Sequence, residues 1–161
     1  MTHLGAHVIG LISDTHGMVR ASVHQALAGV ELILHAGDVG GDEVLAELSL
    51  IAPVKAVCGN TDSPGDPRLR ASLSETIGGL RVHVSHGHEV GAPTPAKLLE
   101  AYPDDVIVYG HTHRQLVTRA DSGRLVVNPG AAGARRFKLE PSVARMTIVD
   151  GHADVELIPL D

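Results

Sequence analysis

Residues 105–116 read DVIVYGHTHRQL, an apolar run of β-formers that hands over, through Gly110, to two histidines separated by one threonine. A short run rich in valine and isoleucine suits a buried strand. If the backbone stays extended past Gly110, side chains alternate faces, so His111 and His113 point one way and Thr112 the other. Two ring nitrogens are then expected to converge on one spot, as metal ligands do and core side chains rarely need to.

The same handover recurs upstream. VIGLIS leads to Asp14, ELILHAG to Asp38, VKAVCG to Asn60 and LRVHVS to His86. Strands at 8–13, 31–35 and 53–57, with helices at about 18–28 and 42–50 between them, predict parallel strands joined by crossovers. In open sheets of this kind ligands bind beyond the carboxyl ends of the strands, which would gather all five handover residues at one rim. Asp14-Thr15-His16 repeats the spacing of His111-Thr112-His113 and should likewise present two donors together. Gly37, Gly59 and Gly110 each precede a candidate ligand and are expected to let the backbone bend there.

Further on, strands near 72–77 and 80–85 flank Gly78-Gly79 as a hairpin. Thr94 and Pro95 open a short helix with an N-cap and a first-turn proline, ahead of strand 105–109. Hairpins turning at 121–124 and 150–151 predict an antiparallel tail, expected to form a second sheet packed on the first. The expected class is α/β, in one domain over 1–161.

Composition narrows the function classes. Hydrophobic residues make up 43% of the 161 and aromatic ones only 2%, so the core must be built from Val, Leu, Ile and Ala. A net charge of −6 argues against an undirected nucleic-acid or anionic-membrane surface, which needs clustered cations. The one basic cluster, Arg135-Arg136-Phe137-Lys138, reads as a solvated loop. The single cysteine, Cys58, excludes an internal disulfide and is expected as a small buried hydrophobe in a reducing compartment. VIGLIS is too short for a signal core or a membrane span, so a cytoplasmic protein with no membrane partner is expected.

The candidate donors are Asp14, His16, Asp38, Asn60, His86, His111 and His113. They are too many for one tetrahedral zinc and suit two ions sharing a carboxylate, for which Asp38 is the natural bridge. Two divalent ions beside two aspartates leave a charge of about +2, which favours a phosphate oxyanion. His35 reads as a supporting or core residue, His88 as a loop residue or substrate-side donor, and Asp62 as a structural acceptor. His3, His7, His24, His83 and His152 read as surface or core histidines, while Asn128 and Gly130 in NPG fit either a site contact or a plain turn.

Taken together, DTH (14–16), GD (37–38), GNTD (59–62), HGH (86–88), GHTH (110–113) and NPG (128–130) make the sequence resemble the calcineurin-like metallophosphoesterases, especially their small bacterial and archaeal phosphodiesterase branch. The resemblance implies a β-sandwich of two mixed sheets flanked by helices in four αββα layers. It implies two divalent ions, one held by Asp14, His16, Asp38 and His113 and the other by Asp38, Asn60, His86 and His111. The implied reaction is hydrolysis of a small phosphate ester by hydroxide generated from a shared water. Asp38, Asn60 and His86 would be catalytic, and Asn60, Thr61 and His88 would meet the substrate. Mn²⁺ is the expected metal, with Fe²⁺, Co²⁺, Ni²⁺ and Zn²⁺ compatible with the same donors because cellular supply decides among them. GNTD departs from the many members with histidine after the asparagine; Thr61 cannot protonate an alkoxide, so aryl diesters are the expected better substrates. The alternative is a protein-binding scaffold of the same fold, as in the vacuolar sorting protein 29, where the metal site is degraded; all seven donors stand here. A serine hydrolase is disfavoured because the chain has no G-x-S-x-G elbow. A homo-oligomer is left open.

Overall fold

Period-two alternation sends successive side chains of each strand into different layers, and the apolar runs are apolar on both faces because both faces are covered. The computed structural model describes residues 6–135 and 138–160; His3, Arg136 and Phe137 of the sequence reading lie outside them. One sheet contains β1 (His7–Ile12), β2 (Leu32–His35), β3 (Val54–Val57), β4 (Leu69–Arg70), β10 (Ser142–Val149) and β11 (His152–Pro159), in the order β11-β10-β1-β2-β3-β4. The other contains β5 (Ser72–Ile77), β6 (Leu80–Ser85), β7 (Val106–Val108), β8 (Leu116–Arg119) and β9 (Leu125–Asn128), in the order β5-β6-β7-β9-β8. Both are mixed: β1, β2, β3 and β4 run parallel while β10 and β11 add antiparallel, and β6, β7 and β9 run parallel between antiparallel β5 and β8.

Three apolar clusters fill the spaces between four layers. Ile9, Leu11 and Leu34 of the first sheet meet Val82, Val84, Val106, Val108 and Val127 of the second. Ile12 and Ile33, on the opposite face, pack with Val23 and Leu27 at α1 (Ala21–Ala26) and Val44 and Leu48 of α2 (Asp42–Ser49). On the far side Ile107 and Val126 pack with Leu98 of α3 (Pro95–Ala101), a helix capped as expected by Thr94, whose hydroxyl accepts from Lys97 N at 3.3 Å. The α/β sandwich of two mixed sheets flanked by helices is therefore the architecture of the chain.

Two expectations are corrected. The C-terminal third does not form a sheet of its own: β8 and β9 close the second sheet beside β7, whereas β10 crosses back to pair with β1. Both hairpins exist, but what each strand pairs with is a non-local choice that the local alternation leaves open. The first helix begins at Ala21 rather than near 18, with Arg20 still extended (ψ 144). Residues 14–17 are held instead by the second ligand loop, through Asp14 N to Gly37 O, His16 N to Asp38 O and Gly17 N to Val39 O at 2.9–3.0 Å. This ladder prolongs the pairing of β1 with β2 beyond the strand ends and locks two donor-bearing loops together.

Candidate metal centre

All seven candidate donors lie at one rim, after the ends of β1, β2, β3, β6 and β7. Their backbone is not extended. Asp14 (φ 53), His16 (φ 46), Asp38 (φ 55), His111 (φ 71) and His113 (φ 63) all occupy the left-handed region, and among the described residues only Asp150, in a hairpin turn, joins them outside glycine. That conformation is unfavourable for a residue with a Cβ and persists where the surroundings enforce it. It also overturns the expectation that His111 and His113 converge. His113 Nε2 lies 3.3 Å from Asp14 Oδ1, beside His16, while His111 Nδ1 lies 3.3 Å from His86 Nε2 and 3.2 Å from Asn60 Oδ1. A left-handed turn after Gly110 breaks the strand alternation and sends the two rings to opposite halves of the cluster.

Gly37 bends the chain as expected (φ 102), but Gly59 and Gly110 serve close approach instead. A Cβ on Gly59 would overlap the Asp38 carboxylate, and one on Gly110 would overlap the Ser13 hydroxyl and Asp14 Oδ2.

Among the described residues, Asp14, His16 and His113 form one group able to hold a cation, and Asp14, Asp38 and His86 a second, with ligand atoms within 4.8 Å of one another. Each carboxylate gives one oxygen to the protein and turns the other inward. Asp14 Oδ2 accepts from Ser13 Oγ at 2.5 Å and from His111 N at 3.1 Å; Asp38 Oδ1 accepts from Thr61 N at 2.9 Å. Asp14 is common to both groups, and Asp38 Oδ2 reaches from the second toward the first, 3.2 Å from His86 Nε2 and 3.6 Å from His16 Nε2. Asp14 Oδ1 and His16 Nε2 are buried without a hydrogen-bond partner. Buried polar atoms are normally paired, so these two mark where a cation fits.

The protonation states follow from this crowding. Burial would raise the Asp14 carboxyl, but the rings of His113, His16 and His86 and the Ser13 hydroxyl hold it far below the ordinary range. Burial acts on Asp38 in the same direction and is outweighed by His86 and Thr61, which leave it at about 2. Burial pulls the His86 ring down, yet Asp38 and Asp14 hold it above its usual value, whereas burial and the neighbouring His86 lower His111. His86 Nδ1 donates to Ala36 O at 2.8 Å, which aims Nε2 at the carboxylates.

The surrounding shell mixes read and unread residues. Asp62 is the structural acceptor expected of it, taking the backbone N–H groups of Val39 and Gly40 at 3.1 Å and of Gly59 at 2.9 Å, so it ties the Asp38 loop to the Asn60 loop. His35 is fully buried: its Nδ1 accepts from Gly37 N at 3.1 Å, and its Nε2 meets Thr15 Oγ1 at 3.0 Å, whose own hydroxyl donates to Val39 O. His88 is exposed, its ring centroid 5.4 Å from that of His86 and 6.2 Å from that of His111. Thr61 meets the centre at Asp38, through its backbone N–H and its side chain. Cys58 is half-buried rather than buried, with Sγ 3.5 Å from Gly59 O, because the chain turns outward once β3 ends at Val57. His7, His24 and His152 pair with Glu31, Glu47 and Asp154 away from the rim, and His83 is buried against Ser85 and Tyr102. Sequence reasoning missed Ser13, whose role nothing in the local pattern announces. It left Asn128 open; Nδ2 donates to Gly110 O at 3.2 Å and to Thr112 Oγ1 at 3.1 Å, bracing the histidine loop.

Comparison with known proteins places this geometry. Residues 8–151 match the calcineurin-like phosphoesterase superfamily domain, and the chain belongs to that superfamily. A probable metallophosphoesterase of Methanothermobacter thermautotrophicus is 37% identical over 161 residues, covering 94% of this chain and 91% of the relative. A phosphodiesterase of Methanocaldococcus jannaschii is 29% identical over 140 residues, covering 76% of this chain and 82% of the relative. Among solved structures, vacuolar protein sorting 29 from Cryptosporidium parvum shares the fold with a TM-score of 0.80 at 24% identity, over 97% of this chain and 98% of that one. Phosphoesterase hydrolase, with candidate metal-ligand groups at this rim, is the class that the family and the site define. Among the described residues no helix is long and apolar enough to cross a membrane.

Proposed function

We propose that the chain is a phosphodiesterase working with two divalent ions, one held by Asp14, His16, Asp38 and His113 and the other by Asp38, Asn60, His86 and His111. The observation that carries this reading is the pair of buried, unpartnered atoms, Asp14 Oδ1 and His16 Nε2, at the centre of the donor cluster. An unpaired buried acceptor costs about 1–3 kcal/mol, and a cation removes that penalty at the cluster. When bound, such ions supply a nucleophile at neutral pH and neutralise the oxygens of the phosphate.

The chain's own groups do the positioning. Thr61 N–H fixes Asp38 Oδ1 so that Oδ2 faces both histidine groups, and Ala36 O fixes the His86 ring. Asn60 and His88, at the exposed edge, can donate to phosphate oxygens. The mixed oxygen and nitrogen donors suit Mn²⁺ as the working ion, and the substrate is a small phosphate ester met in the cytoplasm.

The likeness to vacuolar protein sorting 29 favours a second reading, a protein-binding scaffold. Metal analysis of the purified protein, together with turnover of phosphomonoesters, diesters and cyclic nucleotides with and without Mn²⁺, separates the two. Two ions per chain with metal-dependent diester hydrolysis is the expected result. Stoichiometric metal with no turnover on any ester favours the scaffold.

A further inference from the structure

A cavity of about 370 Å³ opens beside the candidate centre, lined chiefly by Cys58, Asn60, Asp62, Pro64, His88 and Glu89. Asn60 joins it to the donor cluster, since its Oδ1 lies 3.2 Å from His111 Nδ1. Among the described residues that line the cavity none is lysine or arginine, and two are carboxylates. The two differ in availability. Both oxygens of Asp62 are taken up by the amides of Val39, Gly40 and Gly59. Glu89 accepts from Gly87 N at 2.9 Å and from Tyr102 OH at 2.8 Å, with Ser85 a further contact, so it is held mainly by side chains at the cavity wall and is not closed off by three backbone amides of other loops. Tyr102 is itself stacked on His83, with ring centroids 3.7 Å apart, so the carboxylate is held in place before anything binds. Burial pushes the Glu89 carboxyl up, but Tyr102, Ser85 and Gly87 outweigh it and keep the group below its usual range, hence ionised at neutral pH.

We propose that this cavity receives one of the two ester groups of a phosphodiester substrate, and that it selects groups bearing an amine or another hydrogen-bond donor over groups bearing a second anion. The inference rests on the phosphodiesterase reading and adds the substrate class to it. The scissile phosphate occupies the metal ions, while a second anion placed in the cavity meets Glu89 and Asp62 with no lysine or arginine among the described lining residues. One unit charge about 6 Å away in a half-exposed cavity changes affinity by roughly 10-fold. An ammonium or hydroxyl group gains an acceptor that is already oriented, which limits the entropy lost on binding.

The test uses the metal-loaded full chain and two matched pairs of aryl alkyl phosphodiesters at low salt. One pair carries an amine or a carboxylate on the alkyl group, and the other carries the same two charges on the aryl leaving group. Bis(4-nitrophenyl) phosphate serves as the generic substrate. In the pair whose variable group enters the cavity, kcat/KM corrected for uncatalysed reactivity should favour the amine by about 10-fold or more. That ratio should fall toward one in Glu89→Gln and also in Cys58→Lys, which adds a cation without touching Glu89. Because each ratio is internal to one variant, partial loss of folded protein does not affect it. Turnover of the generic diester with no charge preference in either pair, or a preference unchanged in both variants, overturns the inference and leaves the phosphodiesterase reading standing. No metal-dependent turnover of the generic diester overturns both.

Discussion

The two ends of the sandwich differ in their loops, long at the carboxyl ends of the parallel strands and short at the other, and they behave in opposite ways. At the carboxyl ends of the parallel strands, five candidate ligands hold a left-handed backbone and two buried polar atoms have no hydrogen-bond partner. At the opposite end, where β6, β7 and β9 begin, a cavity of about 340 Å³ is lined by Arg119, Arg124 and His152. Its arginines suggest an anion site, but both are committed. Arg124 donates to the carbonyls of Asp104, Leu99 and Tyr102, and Arg119 to those of Gly123 and Ala153. One end keeps polar groups unmatched and five non-glycine residues strained; the other strains Asp150 in a turn and spends its cations on closing loops. Unmatched groups and retained strain, more than the residue types in a cavity, mark the end where chemistry is expected.

Four measurements can break or sharpen this contrast. The largest effect is expected for Asp38→Asn, whose inward oxygen stands between the two histidine groups. Turnover should fall by about 10³ or more, in line with loss of both ions' alignment, and bound metal should drop below one ion per chain. Retention of two ions and wild-type rate would rule out the bridging assignment.

His111→Ala and His113→Ala come next. The left-handed turn sends these rings to different groups, so each variant should lose one ion, keep the other, and turn over about 10² or more slower. Loss of both ions in both variants, read by elemental analysis, would mean a single shared site.

A pH experiment probes the buried support beneath the rim. Burial holds the His35 ring at about 4, below its ordinary 6.5, and Gly37 N–H occupies the nitrogen that a second proton would need. Between those values the unfolded chain binds the proton and the folded chain resists it. The stability tied to neutral His35 is therefore complete above pH 6.5 and is lost as pH falls toward 4, by about 3 kcal/mol in metal-free protein. Denaturant melts across that window should show the loss in wild type and a shallower one in His35→Gln; equal slopes would remove His35 as the cause.

Arg124→Ala tests the other end. Losing its bonds to three carbonyls should lower stability by about 2 kcal/mol, while kcat/KM per folded molecule stays at the wild-type value. A selective loss of activity would show that the two ends are coupled.

Much of this contrast is already visible in the chain as a string of letters. Five apolar runs each end on a residue that can bind a metal, and a run of that kind must be buried, so its polar terminus is delivered to a sheet edge wherever the sheet forms. The hairpin at Gly78-Gly79, the capped helix at Thr94 and the gathering of the seven candidate donors at one rim followed from such local signals. Ser13, Asn128 and the true place of Cys58 did not, because short side chains at the last residue of a strand or just beyond it carry the same signal whether they brace a site or face water.

What the sequence by itself determined is which residues are candidate donors and that they sit at strand ends, since hydrophobic periodicity is a property of neighbouring residues. Only the tertiary structure decided that β10 returns to β1 while β9 stays beside β7, and that His111 and His113 part to opposite halves of the cluster. Strand partners and left-handed turns are set by contacts between residues distant along the chain, such as His111 N with Asp14 Oδ2, and those contacts exist only once the two sheets have packed.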